Sequence, residues 1–204
     1  MPGRMFLTSP PDEVSAFAGG IIPDVPPRQN IAPGEEVLTL TADGPRMMRW
    51  GMIPVGRKNA RGRPVMETII NARGETVFDK TAFEGVGRAV VPINGWYEWT
   101  GERRRKTAWR LTPTGGGVVG VAAIFDIWAG PGGVEVPQVA TVTCEPNAEV
   151  RQIHHRMGVI LKADQVATWL MGDAADASLL VQPLADGGVE IVKETDVDLT
   201  KPDR

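Results

Sequence analysis

Three short clusters in this chain hold side chains whose types and spacing suit proton transfer. The first is Asn94-Gly95-Trp96-Tyr97-Glu98-Trp99, which sets one carboxylate among three aromatic rings directly after the apolar run Ala89-Val90-Val91-Pro92-Ile93. Read as a strand, this stretch alternates, so Trp96 and Glu98 share one face and Tyr97 and Trp99 the other. A carboxylate beside an indole is partly desolvated, which favours its neutral form and moves its pKa toward a value useful for acid/base work. The competing reading is a solvated strand residue between core aromatics. The second cluster is His154-His155-Arg156, which contains the chain's 2 histidines. One imidazole suits acid/base chemistry near neutrality, and the planar fork of Arg156 suits a phosphate. Taken alone, the tripeptide reads equally as an exposed polar loop. The third cluster, Asn71, Arg73 and Glu75, alternates, so an extended backbone puts an amide, a guanidinium and a carboxylate on one face. Burying such a set is costly without a task, and an exposed edge strand is the alternative.

Adjacent histidines cannot face one metal as an i, i+4 pair does, and no Cys or Asp/Glu cluster sits at ligand spacing, so neither metal nor other cofactor is expected. The single cysteine, Cys144, excludes an internal disulfide. In Val142-Thr143-Cys144 it reads as a small buried apolar residue, and its solitude points to a reducing cytoplasm.

The elements that must position these clusters are mostly strands. Val37–Thr41 alternates, Asp43-Gly44-Pro45 turns, and Arg46–Ile53 reads as the hairpin partner, the start of a β-meander. Further strands are expected at Ala89–Ile93, Thr107–Leu111, Val118–Trp128, Val136–Thr143, Met157–Leu161 and Val189–Val192. Asn94-Gly95 gives the Ala89–Ile93 strand a turn-prone end. Short helices are expected after Ser9-Pro10-Pro11-Asp12, with a hydroxyl cap and early prolines, and at Val77–Phe83, Ala163–Met171 and Ala174–Leu180. Pro23–Pro33 reads as an ordered loop or linker, and Gly56–Pro64 as a basic surface loop of the kind that carries binding residues. The sum is an α+β, β-rich chain with a largely antiparallel, barrel-like core and short peripheral helices.

At 204 residues the chain fits one domain, 1–204, with an acidic and peripheral end from 186 to 204. No run approaches the roughly 18 apolar residues of a membrane span, and a monomer is expected. The formal net charge of −3 hides an asymmetry. Arg46, Arg49, Arg57, Lys58, Arg61 and Arg63 lie in a stretch without an acid. Arg103, Arg104, Arg105, Lys106 and Arg110 follow Glu98, so the two segments hold 11 of the 22 Lys and Arg residues. A basic face beside an aromatic-rich site suits nucleic acid, although solvated loop tips have the same composition.

Asn71-Ala72-Arg73-x-Glu75-Thr76, Gly95-Trp96-Tyr97-Glu98-Trp99 and Ile153-His154-His155-Arg156-Met157, in this order, resemble the SRAP family of SOS-response-associated abasic-site proteins. Asn30-Ile31-Ala32-Pro33-Gly34 and Arg49-Trp50-Gly51-Met52-Ile53-Pro54 extend the resemblance from Gly3 to about Met171. It implies recognition of abasic sites in single-stranded DNA and covalent attachment through an N-terminal Cys, exposed by removal of Met1, whose amine and thiol close a thiazolidine on the sugar aldehyde. The family's peptidase label corresponds to that self-removal of Met1. Asn71, Glu98 and His154 match the family's active site; Arg4, Arg73 and Arg156 match positions expected to contact phosphates. Trp50 and Met52 are candidates for stacking on unpaired bases. Where the family has its Cys, this chain has Pro2, which rules out the thiazolidine; Gly158, where the family has Pro, is a smaller departure. Three consequences compete: attack by the Pro2 amine to give a reversible iminium or a lyase reaction, non-catalytic single-stranded DNA binding, or replacement of an original Cys. A small-molecule hydrolase using Glu98 and His154 is the rival outside the family.

Overall fold

The computed structural model describes residues 3–53, 68–78, 85–102 and 105–201. Pro2, the basic loop at 56–64, most of the helix expected at Val77–Phe83, and Arg103-Arg104 therefore lie outside the described residues. In chain order the elements are β1 (Arg4–Leu7), α1 (Pro11–Ala18), β2 (Arg28–Ile31), β3 (Glu36–Thr41), β4 (Gly44–Trp50), β5 (Asn71–Arg73), β6 (Gly87–Ile93), β7 (Gly95–Thr100), β8 (Thr107–Pro113), β9 (Val119–Ala129), β10 (Glu135–Cys144), α2 (Ala148–Arg151), β11 (Met157–Gly158), β12 (Ile160–Leu161), α3 (Ala163–Met171), α4 (Ala174–Leu179) and β13 (Val189–Lys193). Short 3-10 turns occupy Gly74–Thr76 and Pro131–Gly133.

Strands β10, β4, β3, β6 and β9 pair in that order, and β9 pairs again with β10, so the run closes into a ring with no free edge. All pairs in the ring are antiparallel except β10 with β4. The expected meander is therefore confined to β3 and β4; the next partner of β4 lies far along the chain. Beside the ring stands an antiparallel sheet in the order β13-β8-β7-β1-β2. One apolar cluster joins the two, with Met5, Leu7, Trp96 and Leu111 from the open sheet meeting Trp50, Val90, Ile124, Val139 and Trp169. Burying each such side chain contributes about 1.5–3 kcal/mol.

The chain passes from ring to sheet at Asn94-Gly95, where β6 becomes β7. No turn with positive φ forms there. The amide of Asn94 instead accepts from the backbone N–H of Thr8 (2.7 Å) and Ser9 (2.9 Å), and donates to Ser9 Oγ (2.9 Å) and the Gly117 carbonyl (2.8 Å). Gly95 is required by contact: an added Cβ would lie 2.3 Å from the Leu111 carbonyl oxygen and 2.4 Å from the Phe6 ring.

Several expectations shift. Ser9 does not cap α1; Pro10 stands at the N-cap with no side-chain bond, because the Ser9 hydroxyl is engaged by Asn94. Pro11 and Gly19 do open and close the helix, the latter with φ 71°. The proline-rich Pro23–Pro33 stretch contains β2, paired with β1. The acidic end forms a sheet edge: β13 pairs along β8 from Val189 to Lys193, and the buried Asn30 side chain donates to the Asp198 and Lys201 carbonyls. Among the described residues no helix is long and apolar enough to cross a membrane.

Candidate active site

Glu98 sits on β7, between β1 and β8, opposite Trp109. Strand alternation divides the sheet clearly. Met5, Leu7 and Trp96 point into the shared core, while Phe6 and Tyr97 pair on the outer face, ring centroids 5.2 Å apart, with the Arg110 guanidinium 4.2 Å over Phe6. Two residues from Trp96, Glu98 points the same way, toward the ring of strands. It is only 2% exposed. Burial pushes its carboxyl up to about 6, against the downward pull of the positive charge at the amino terminus. The register explains why that charge matters: Arg4 is opposite Tyr97, and Gly3 lies beside the Trp99 ring.

His154 follows α2, whose first turn is capped by the Asn147 side chain accepting from Val150 N–H (3.1 Å). The backbone N–H of His154 returns to the Val150 carbonyl at 2.7 Å, and its half-buried ring stacks on His155 with centroids 4.3 Å apart. The N–H of Arg156 donates to Nδ1 at 3.0 Å. A neutral imidazole that accepts at Nδ1 carries its proton on Nε2. Burial first, and then the charge of the amino terminus, push His154 down to about 4, so it is neutral at physiological pH. The amino-terminal charge is thus a secondary cause of both shifts, after burial.

The third cluster is brought to the second by β10. β5 pairs in parallel with β10, Asn71 opposite Thr141 and Arg73 opposite Thr143, while β11 pairs with the end of the same strand. The Thr141 hydroxyl bonds to Asn71 Oδ1. The extended backbone ends at Arg73, so Glu75 does not share a strand face with Asn71 and Arg73. A 3-10 turn begins at Gly74, where an added Cβ would meet Val181 Cγ1 at 2.3 Å, and swings Glu75 onto Arg156. That contact is bidentate, 2.5 and 2.8 Å, and the guanidinium also donates to the Thr143 carbonyl at 2.7 Å. Each partner favours the charged form of the other: the hydrogen bond from Arg156 lowers the pKa of Glu75, and Glu75 raises that of Arg156.

The remaining expected residues divide. Arg73 is exposed and open to a phosphate. Arg156 is 8% exposed, and its charge is already matched by Glu75. Arg4 is half-buried and donates to the Gly3 carbonyl at 2.9 Å. Trp50 and Met52 are core residues, 0% and 1% exposed, with the Trp50 indole N–H on the Ile70 carbonyl; no ring face is presented to a base. Cys144 is buried with its thiol pushed up to about 12 by burial, as a packing residue should be. Pro2 lies outside the described residues. Sequence reasoning missed Asn94, Thr141 and Thr143. Its available signal was the pair of hydroxyls at i, i+2 in the otherwise apolar Val139–Cys144 run, where polar groups on a buried face need partners.

A ring of strands beside an open sheet, carrying a buried carboxyl raised to about 6 and an imidazole lowered to about 4, defines a β-rich protein. The sequence profile of SRAP, the SOS response associated peptidase family, matches residues 1–197, and the chain belongs to that family. Among curated relatives, the abasic site processing protein YoaM of Bacillus subtilis is 30% identical over 152 residues, 71% of this chain and 66% of YoaM. Its counterpart YoqW is 29% identical over 162 residues, 76% of this chain and 71% of YoqW. The abasic site processing protein HMCES of Mus musculus is 28% identical over 171 residues, 67% of this chain and 48% of HMCES. The chain therefore spans about two thirds of the bacterial relatives and about half of the mammalian one. The fold is shared with a Bacteroides thetaiotaomicron protein, TM-score 0.82 at 20% identity, covering 95% and 92% of the two chains. It is also shared with a phage-related protein of Bordetella bronchiseptica, TM-score 0.73 at 23% identity, covering 94% and 93%.

Proposed function

We propose that this protein recognises abasic sites in single-stranded DNA and processes them through its amino terminus, with Glu98, His154 and Asn71 as the acid/base site. What supports the reading is the pair of groups it needs: a buried carboxyl raised to about 6, able to take a proton, and an imidazole lowered to about 4, neutral and able to donate one. The relatives named abasic site processing proteins supply the substrate class.

In this reading Met1 is removed and the secondary amine of Pro2 adds to the C1 aldehyde of the ring-opened sugar. Glu98 takes the proton from the amine, and the Nε2–H of His154 supplies one to the sugar oxygen. Loss of water leaves an iminium. Without sulfur to trap it, the iminium returns to aldehyde by hydrolysis or loses a C2 proton and expels the 3′ phosphate. Asn71, anchored by Thr141, holds the sugar or the terminus, and Arg73 takes a phosphate.

Incubation of the protein with single-stranded DNA carrying one abasic site, with and without borohydride, tests this alongside intact-mass measurement of the amino terminus. A borohydride-dependent adduct on Pro2 is expected. Binding with no adduct would reduce the protein to a non-catalytic reader of such DNA. No binding at all would sink the DNA reading and leave a hydrolase built on Glu98 and His154.

A further inference from the structure

The contact between Glu75 and Arg156 joins two parts of the site that are 81 residues apart in sequence. Glu75 follows Asn71 and Arg73 on the turn that ends β5; Arg156 follows His154 by two residues. The guanidinium is held by Glu75 Oε1 and Oε2 and by the Thr143 carbonyl and hydroxyl, with the exposed carboxylate of Glu145 at 3.4 Å. These anchors fix the side chain of the same residue whose backbone N–H points at His154 Nδ1.

We infer that Glu75 is a positioning residue which, by holding Arg156 bidentately, locks the 154–156 turn so that the Arg156 N–H stays on Nδ1 and His154 presents its proton on Nε2. The steps are geometric. A buried guanidinium cannot keep its place without its carboxylate, because a buried charge that loses its partner moves toward water or draws water in. Arg156 is held on one side by this carboxylate and on the other by β10. When the first hold goes, the side chain follows the exposed Glu145, and the backbone of the turn moves with it. The neighbouring carbonyl of Arg156 already lies 3.2 Å from Nδ1. A small rotation then exchanges an N–H for a C=O at that nitrogen, and the proton moves from Nε2 to Nδ1. The imidazole would face the site with an acceptor where the proposed reaction needs a donor.

The inference deepens the proposed function, and its consequence for turnover rests on that reading, but the tautomer is readable in the protein alone. The chain has only 2 histidines, so imidazole nitrogen NMR of the 15N-histidine-labelled protein resolves both. Wild type should show His154 with its proton on Nε2. In E75Q the His154 signals should move toward the Nδ1–H form, with the melting transition still cooperative. E75D, which keeps the charge, should retain the wild-type tautomer. Adduct formation in single turnover should fall about 100-fold in E75Q, the order of one general-acid contribution. An unchanged His154 tautomer in folded E75Q overturns the inference. If E75Q does not fold, R156K is read in the same way: its ammonium cannot make the bidentate contact, and an unchanged tautomer there also overturns it. A tautomer that shifts in a protein that never binds abasic-site DNA leaves the positioning role standing and removes only the DNA reading.

Discussion

A carboxyl held near 6 and an imidazole held near 4 work against stability in opposite pH windows, and the signs follow from linkage. The pKa of Glu98 is raised by folding, from its ordinary 4.5 to about 6. Its protonated form is favoured in the folded state, so its contribution is fully present below 4.5 and is lost as pH rises through 6. The shift corresponds to about 2 kcal/mol. E98Q should therefore be more stable than wild type at pH 8 by up to about 2 kcal/mol and equal to it near pH 4, measured by urea unfolding, while adduct formation is abolished. Equal stability of the two proteins at pH 8 would contradict the desolvated carboxylate. His154 is lowered, so its contribution is present above 6.5 and is lost as pH falls through 4. H154Q should flatten the decline of stability between those values, and a wild-type-like slope in that variant would assign the decline to other groups. Because neutral His154 does not titrate near pH 7, the acid limb of the adduct rate belongs to Glu98 and the attacking amine: the wild-type rate should rise through pH 6 and keep rising toward roughly pH 8 as the amine loses its proton.

At the scale of elements, the site depends on the passage from β6 to β7 more than on any long strand. Asn94 is 8% exposed and its side chain makes five hydrogen bonds to two chain segments, Thr8-Ser9 just after β1 and Gly117. β1 in turn sets Arg4 opposite Tyr97, the residue before Glu98. N94A strands several buried donors and acceptors, and should cost about 3 kcal/mol and slow adduct formation at temperatures where it is still folded. Loss of stability with an unchanged rate would show that β1 is positioned by its strand pairing alone. Much of this layer was legible: β3, β4, β6, β9, β10 and α3 announce themselves through apolar alternation or helical spacing, with Trp169 on the buried face of α3. β1 and β2 did not, since each is four residues long, one begins with Arg, and the other emerges from prolines. What makes them strands is pairing across the sheet, which local propensity does not encode. Glu75 was misplaced for a similar reason. Alternation holds only while the backbone is extended, and the close approach of Gly74 to Val181 and β10 ends it.

For the whole molecule, the proposed DNA partner raises the question of how a chain of formal charge −3 would attract a polyanion. The acids of the C-terminal segment lie on and beyond β13, at the edge of the open sheet, two strands from β7. Arg73 is at the end of β5, which pairs with β10 of the ring, so it stands on a different sheet from that acidic edge. Screening over about 8 Å at physiological salt lets a local basic surface act independently of the net charge. The arginines of the two site motifs then separate by burial. Arg73 is exposed, whereas the charge of Arg156 is matched by Glu75. Each phosphate neutralised on single-stranded DNA adds roughly 0.7 to the slope of log affinity against log salt. R73A should lower that slope by about that amount and weaken binding equally for intact and abasic strands. R156K should leave the slope unchanged and act instead on adduct formation. The measurement is a salt titration of fluorescence anisotropy with labelled single strands, read for wild type and both variants. A slope that falls in R156K as much as in R73A would place the Arg156 guanidinium on DNA in the complex, which requires Glu75 to release it on binding.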